Sequence, residues 1–177
     1  MNSAAPACLL RPLEARDLPL LLAWRNHPSV RSAMFRRREI SATEHAAWFA
    51  AQHPQAGRHL LIYEENGIPL GHVNFSLQAC PQIAEWGFYR APEAPAGSGQ
   101  RMGRAAIDWA FDSLGLHKIA AQVIADNPRS LAFHRKLGFQ PEGILREHFH
   151  DGQSYLDVHC FGLLRPEWQA MKDAHHD

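Results

Sequence analysis

Between a predicted strand and a predicted helix the chain carries Gly97-Ser98-Gly99-Gln100-Arg101-Met102-Gly103-Arg104-Ala105. Glycines let backbone N–H groups come close to an anion, and a helix start adds free donors and the positive end of its dipole. Arg101 and Arg104 place cationic side chains beside them. The chemistry such a turn serves is phosphate binding. It is not a Walker loop, because no Gly-Lys-Ser/Thr follows, and it lacks the early strand–helix–strand setting of a dinucleotide fingerprint. Histidine is the second chemical signal, at 12 of 177 residues. His148, His150, Asp151 and His159 lie near a predicted hairpin with Cys160 adjacent, but neither HExxH nor paired CxxC spacing occurs, so no metal is expected. His175-His176 is read as a terminal tail.

These residues sit in an otherwise ordinary globular composition, 46% hydrophobic and 20% charged. Eighteen basic residues balance 18 acidic ones. A zero net charge argues against nucleic acid or an anionic membrane as partner, while leaving room for a local basic pocket. Cys8, Cys80 and Cys160 are far apart and odd in number, which suggests neither a disulfide framework nor a zinc ribbon. The N-terminus lacks a basic flank before an apolar run, and the apolar runs fall short of the ~20 residues that span a bilayer. The expectation is a reduced cytoplasmic protein with one domain over residues 9–168, flanked by tails at 1–8 and 169–177.

The elements that must position the chemistry follow from periodicity. Leu9 to Leu13 reads as a strand, and Asp17 offers an N-cap to a helix carrying Leu18, Leu21, Leu22 and Trp24. A second helical stretch covers Val30 to Phe35, and Ser41 with Glu44 forms a capping box before Trp48 and Phe49. Strands at 59–63, 69–77 and 83–89 form a meander around the Asn66-Gly67 turn. A helix is predicted from Met102, with Gly115 as its stop, then a buried strand from Lys118 to Ala125. Asp126 or Asn127 caps the next helix, and two strands around 139–149 and 155–164 flank Asp151-Gly152. Pro166 can open a short last helix. The order predicts an α/β fold, one mixed central sheet flanked by helices.

The segment Asn127-Pro128-Arg129-Ser130-Leu131-Ala132-Phe133-His134-Arg135-Lys136-Leu137-Gly138-Phe139 narrows the reading. With it, the chain resembles the GCN5-related N-acetyltransferase (GNAT) superfamily over roughly residues 9–165. The pyrophosphate loop Q/R-x-x-G-x-G/A of that superfamily is matched by Gln100, Gly103 and Ala105. Its later N-x-x-S-x-x-F-Y-x-K-L-G-F segment is matched at Asn127, Ser130, Phe133, Lys136, Leu137, Gly138 and Phe139. The resemblance implies the acyl-CoA N-acyltransferase fold and acetyl-CoA as donor. Its pyrophosphate would lie on Gly97, Gly99, Gln100, Arg101, Met102, Gly103, Arg104 and Ala105, and its remainder near Phe88, Tyr89, Asn127, Ser130 and Phe133. Trp24-Arg25-Asn26-His27-Pro28, Glu44-His45, Leu70-Gly71 and Trp86-Gly87-Phe88-Tyr89 are similar to a sugar-nucleotide branch. So are Glu142 to Glu147 and the run from Asp157-Val158 to Leu164. That branch acetylates UDP-4-amino-4,6-dideoxy-N-acetyl-β-L-altrosamine on its 4-amine, towards pseudaminic acid in flagellin glycosylation. The rival acceptor is a protein N-terminus, and the rival of another class is a non-catalytic acyl-CoA-binding module. The resemblance leaves room for a homodimer.

The resemblance also assigns roles. A backbone N–H on the Phe88-Tyr89 strand, aimed by a bulge, would stabilise the oxyanion. The usual tyrosine that protonates the thiolate is replaced by His134. A thiol titrates near ~8.5 and a free imidazole near ~6.5, so His134 needs a neighbour that raises its pKa to serve as the acid. The alternatives are a bond to the cofactor sulfur or a plain helix histidine. Glu85 is the best-placed base, acting through a water, or else a solvated strand carboxylate. Arg25 would grip a UDP phosphate, or else bridge on its helix face, and His45 would face the same cleft, or else be a satisfied core polar group; Asn74 and Ser76 lie on one strand face. Trp24 and Trp48 are better read as core than as a uridine platform.

Overall fold

In the computed structural model, which describes residues 6–52 and 57–174, Asn66 and Gly67 both take positive φ, 52° and 77°. Such a turn matches the twist of the strands it joins. It links β2 (Arg58–Glu65) to β3 (Ile68–Leu77), and β4 (Ile83–Arg90) completes the meander. β1 (Cys8–Pro12) pairs with β2 at one edge. Beyond β4 lie β5 (Lys118–Ile124), β7 (Tyr155–Leu164) and β6 (Gln140–His150), in the order β1-β2-β3-β4-β5-β7-β6. The pairs are antiparallel except β4 with β5, which is parallel.

Alternation along the strands sends side chains to two helical layers. Leu61, Tyr63, Phe75, Ala84 and Trp86 join the main core with α4 (Ser98–Asp112), α5 (Pro128–Lys136) and α6 (Arg165–Asp173). Leu60 and Ile62 face the opposite way, against α1 (Leu18–Asn26) and α3 (Ala42–Gln52). The expected α/β architecture is present. α6 reaches Asp173, five residues past the expected end of the domain at 168, because Trp168 is buried and Met171 packs on the core.

The capping box forms as read. Glu44 N–H donates to Ser41 Oγ at 3.1 Å, and Ser41 N–H donates to Glu44 Oε2 at 2.9 Å. Asn127 caps α5 by accepting from Ser130 N–H at 3.0 Å. Asp17 does not cap α1 with its side chain; its carboxylate is taken by the Arg11 guanidinium at 2.7 and 2.8 Å, which ties β1 to α1. α4 begins at Ser98, four residues before the predicted Met102, with Gly97 at its N-cap in the left-handed region (φ 80°). The stretch predicted helical over Val30–Phe35 is also different. A helix α2 spans Pro28–Arg31 and gives way to a non-helical strap over 32–40.

Two features of the sheet create the site. β4 and β5 are paired only at Ile83–Glu85 against Lys118–Ala120, after which they part. The β3–β4 register runs without interruption from Gly71 opposite Arg90 to Leu77 opposite Ala84. The bulge expected near Phe88 and Tyr89 is therefore absent. Backbone groups of β4 are freed by divergence from β5, not by an inserted residue.

Candidate active site

The gap between β4 and β5 opens into a cleft of about 830 Å³, within the usual range of small-molecule sites. Glu85, Phe88 and Tyr89 from β4 line it, as do Asn74 and Ser76 from β3. Gly97, Gly99, Gln100 and Met102 contribute from the start of α4, and Asn127, Ser130, Phe133 and His134 from the start and body of α5. These thirteen sequence-assigned residues come together although they span residues 74 to 134.

His134 is buried, at 3% exposure. Trp86 Nε1–H has only a donor to give, so His134 Nε2, 3.2 Å away, must accept. The ring proton then sits on Nδ1 and is donated to the Ser130 carbonyl at 2.8 Å. Burial pushes the imidazole below its ordinary range, against the smaller opposing effect of that carbonyl. Phe139 and Phe161 pack on the ring, the latter stacked at 5.5 Å between centroids. This corrects His134 as the acid for the thiolate: it is neutral, and neither nitrogen has a proton free to give.

Asn74, Ser76 and Glu85 share one face of the sheet, since Ser76 stands opposite Glu85 and Asn74 opposite Gly87. Asn74 Nδ2–H donates to the Gly87 carbonyl at 3.1 Å, and a methyl group on Gly87 would come within 2.9 Å of that nitrogen. Burial raises the Glu85 carboxyl above its ordinary range, partly offset by the Arg58 cation. Arg58 lines the same floor and donates to Ser76 Oγ. Gln122 of β5 completes it.

Six assigned residues do not reach the cleft wall. Arg101 turns to β2, where its guanidinium makes a two-point bond to Glu65 at 2.8 and 2.9 Å. Gly103 serves packing: a Cβ there would lie 2.8 Å from both Leu137 Cδ1 and Phe133 Cζ. Ala105 packs on the core, and Arg104, one turn or more beyond the helix start, is not among the lining residues. Arg25 and His45 are buried beneath α1 and α3. Arg25 donates to the Arg36 carbonyl, and His45 stacks on Trp48 at 5.2 Å. Neither is among the residues lining the cleft. Trp24 is core, as read.

The residues missed by sequence are cationic and local. Arg90 and Arg129 line the end of the cleft beside α4 and α5, where burial lowers the Arg90 pKa and the nearby Arg129 cation adds to the shift. Arg90 also donates to the Ala94 and Pro95 carbonyls, which shapes the turn before Gly97. Two neighbouring cations and a glycine-led helix start fit the phosphates of CoA. The proximity of Arg90 to the loop, and of Arg129 to the Asn127 cap, was the available signal. Among the described residues, no three His, Cys, Asp or Glu are grouped to hold a metal ion, and no helix is long and apolar enough to cross a membrane.

Comparison with known proteins places this geometry. A model of the acetyltransferase (GNAT) domain matches residues 8–140. Acetyltransferase PseH of Campylobacter jejuni is 26% identical over 130 residues, 72% of this chain and 79% of that protein. The spermidine N(1)-acetyltransferase of Vibrio cholerae is 27% identical over 162 residues, 90% of this chain and 94% of that one. A crystal structure of spermidine N-acetyltransferase from Vibrio cholerae in complex with CoA and spermine superposes with a TM-score of 0.84 at 25% identity, covering 92% of this chain and 98% of the other. With the splayed strands, the glycine-led helix start and the family match over most of its length, this chain belongs to the GNAT family and is an acetyl-CoA-dependent N-acetyltransferase.

Proposed function

We propose that the acceptor is an amine carried by an anionic small molecule, the 4-amino group of a UDP-4-amino-4,6-dideoxy-N-acetyl-hexosamine. The carrying observation is the charge of the cleft. Among the described residues lining it, Glu85 is the one carboxylate; Arg90 and Arg129 stand at the phosphate end, and Arg58 is the cation on the acceptor floor. A polyamine with several ammonium groups needs several carboxylates, and an arginine on the floor opposes it. Similarity to PseH supports the same reading. The second reading, spermidine, is favoured by the greater coverage of the Vibrio cholerae relative.

In this proposal acetyl-CoA supplies the activated acetyl group. Gly97, Gly99, Gln100, Arg90 and Arg129 hold its phosphates, while Phe88, Met102 and Phe133 line its path towards the floor. One backbone N–H of the Phe88-Tyr89 stretch, on the edge of β4 that faces the gap to β5, stabilises the oxyanion. Glu85, its pKa raised by burial, accepts the proton of the acceptor ammonium. Asn74 and Ser76 orient the sugar. The CoA thiolate takes its proton from water, since His134 cannot give one. The test is CoA-thiol release with the UDP-4-aminosugar, spermidine and an N-terminal alanine peptide as acceptors. We expect release with the first; release with spermidine or the peptide alone would overturn the proposal.

A further inference from the structure

The strap over 32–40 joins two parts of the molecule that are distant in sequence. On the α1 side, Asn26 makes paired bonds with the backbone of Ile40, at 2.8 and 2.9 Å, and Arg25 donates to the Arg36 carbonyl. On the far side, Arg37 Nη2 reaches both carboxylate oxygens of Asp126 at 2.9 Å. Asp126 lies between β5 and α5, next to the Asn127 cap. The Arg37 guanidinium also stands 5.0 Å over the ring of Phe149 on β6, and Phe35 meets the same ring edge-on at 5.6 Å. Met34 and Phe35, immediately before the anchored residues Arg36 and Arg37, line the cleft.

We propose that Arg37 is a positioning residue for acetyl transfer. Its bond to Asp126 latches the strap across the cleft, so that Met34 and Phe35 form the wall against which the carrier of the acceptor amine packs. None of these bonds engages Arg90, Arg129 or the start of α4, the groups that face the phosphates. The latch therefore acts on acceptor binding and leaves acetyl-CoA binding alone. The pair is partly exposed, with the Arg37 side chain at 26% and Asp126 at 39%, so its loss is compatible with a folded domain.

This inference rests on the acetyltransferase reaction and not on which amine is accepted. It is measured with whichever amine the unmodified enzyme acetylates, so a wrong acceptor shows in that enzyme and a wrong latch only in the variants. Steady-state kinetics of the full chain would compare Arg37→Ala, Asp126→Arg and the exchanged pair Arg37→Asp with Asp126→Arg. We expect each single change to raise the acceptor KM about tenfold, with the acetyl-CoA KM held within about twofold. The exchanged pair should return the acceptor KM to within about threefold of the original. An unchanged acceptor KM, parallel rises in both KM values, or no recovery in the exchanged pair would overturn the proposal.

Discussion

The tautomer of His134 follows from one neighbour. Because the Trp86 indole can only donate, the imidazole must accept at Nε2 and carry its proton on Nδ1. A histidine that supplied the thiolate's proton would lose activity as pH rose through its pKa. His134, held neutral by burial, gives no such decline. We therefore expect His134→Gln to lower the thermal midpoint, through lost ring packing, while the pH profile of kcat/KM keeps its shape. Loss of a limb on the alkaline side would restore His134 as the acid. The position of this residue was legible in the Asn127–Phe139 motif, but its protonation was not. That depends on Trp86, 48 residues away. Arg25 illustrates the same limit. Its motif was visible, yet only the packing of α1 shows a guanidinium turned inward to the Arg36 carbonyl.

Elements set the width of the cleft. β4 and β5 share three paired positions and then diverge, and α4 and α5 meet closely behind them at Gly103. A side chain at 103 must displace Phe133, which lines the cleft, or Leu137, which is core. Gly103→Val should cost about 1–3 kcal/mol of stability by overpacking and raise the acetyl-CoA KM by pushing Phe133 into its path. Equilibrium denaturation and initial rates check both; a variant as stable as the parent with an unchanged KM would contradict this packing role. Most elements were readable because their signals are local: the capping box at Ser41 and Glu44, the Asn66-Gly67 turn, the Asn127 cap. The strap was not. Its bonds run from Arg37 to Asp126, 89 residues apart, and no period or turn signal marks them. The bulge at Phe88 and Tyr89, expected from resemblance, gave way to strand divergence.

Across the molecule, a net charge of zero conceals a local imbalance: among the described residues lining the cleft, three are arginines and one is a carboxylate. Several histidines have their pKa lowered by burial elsewhere in the protein as well as in the cleft. Burial lowers His45, His59, His72 and His134, and takes His72 down to about 4. In the unfolded chain an imidazole titrates near ~6.5. Below that pH the unfolded state binds more protons than the folded one, so stability is full above ~6.5 and falls towards ~4. His72 alone accounts for a loss on the order of 3 kcal/mol across that window. Urea unfolding at several pH values should show this decline, reduced in His72→Gln; constant stability between about pH 8 and 5 would contradict it. The anionic character of the acceptor, carried by Arg58 and the scarcity of lining carboxylates, is measured most directly by the ratio of kcat/KM for the UDP-4-aminosugar to that for spermidine. We expect a ratio of at least about 100, the selectivity of a site that pairs one acceptor's charge and opposes the other's. A ratio of one or less would contradict it.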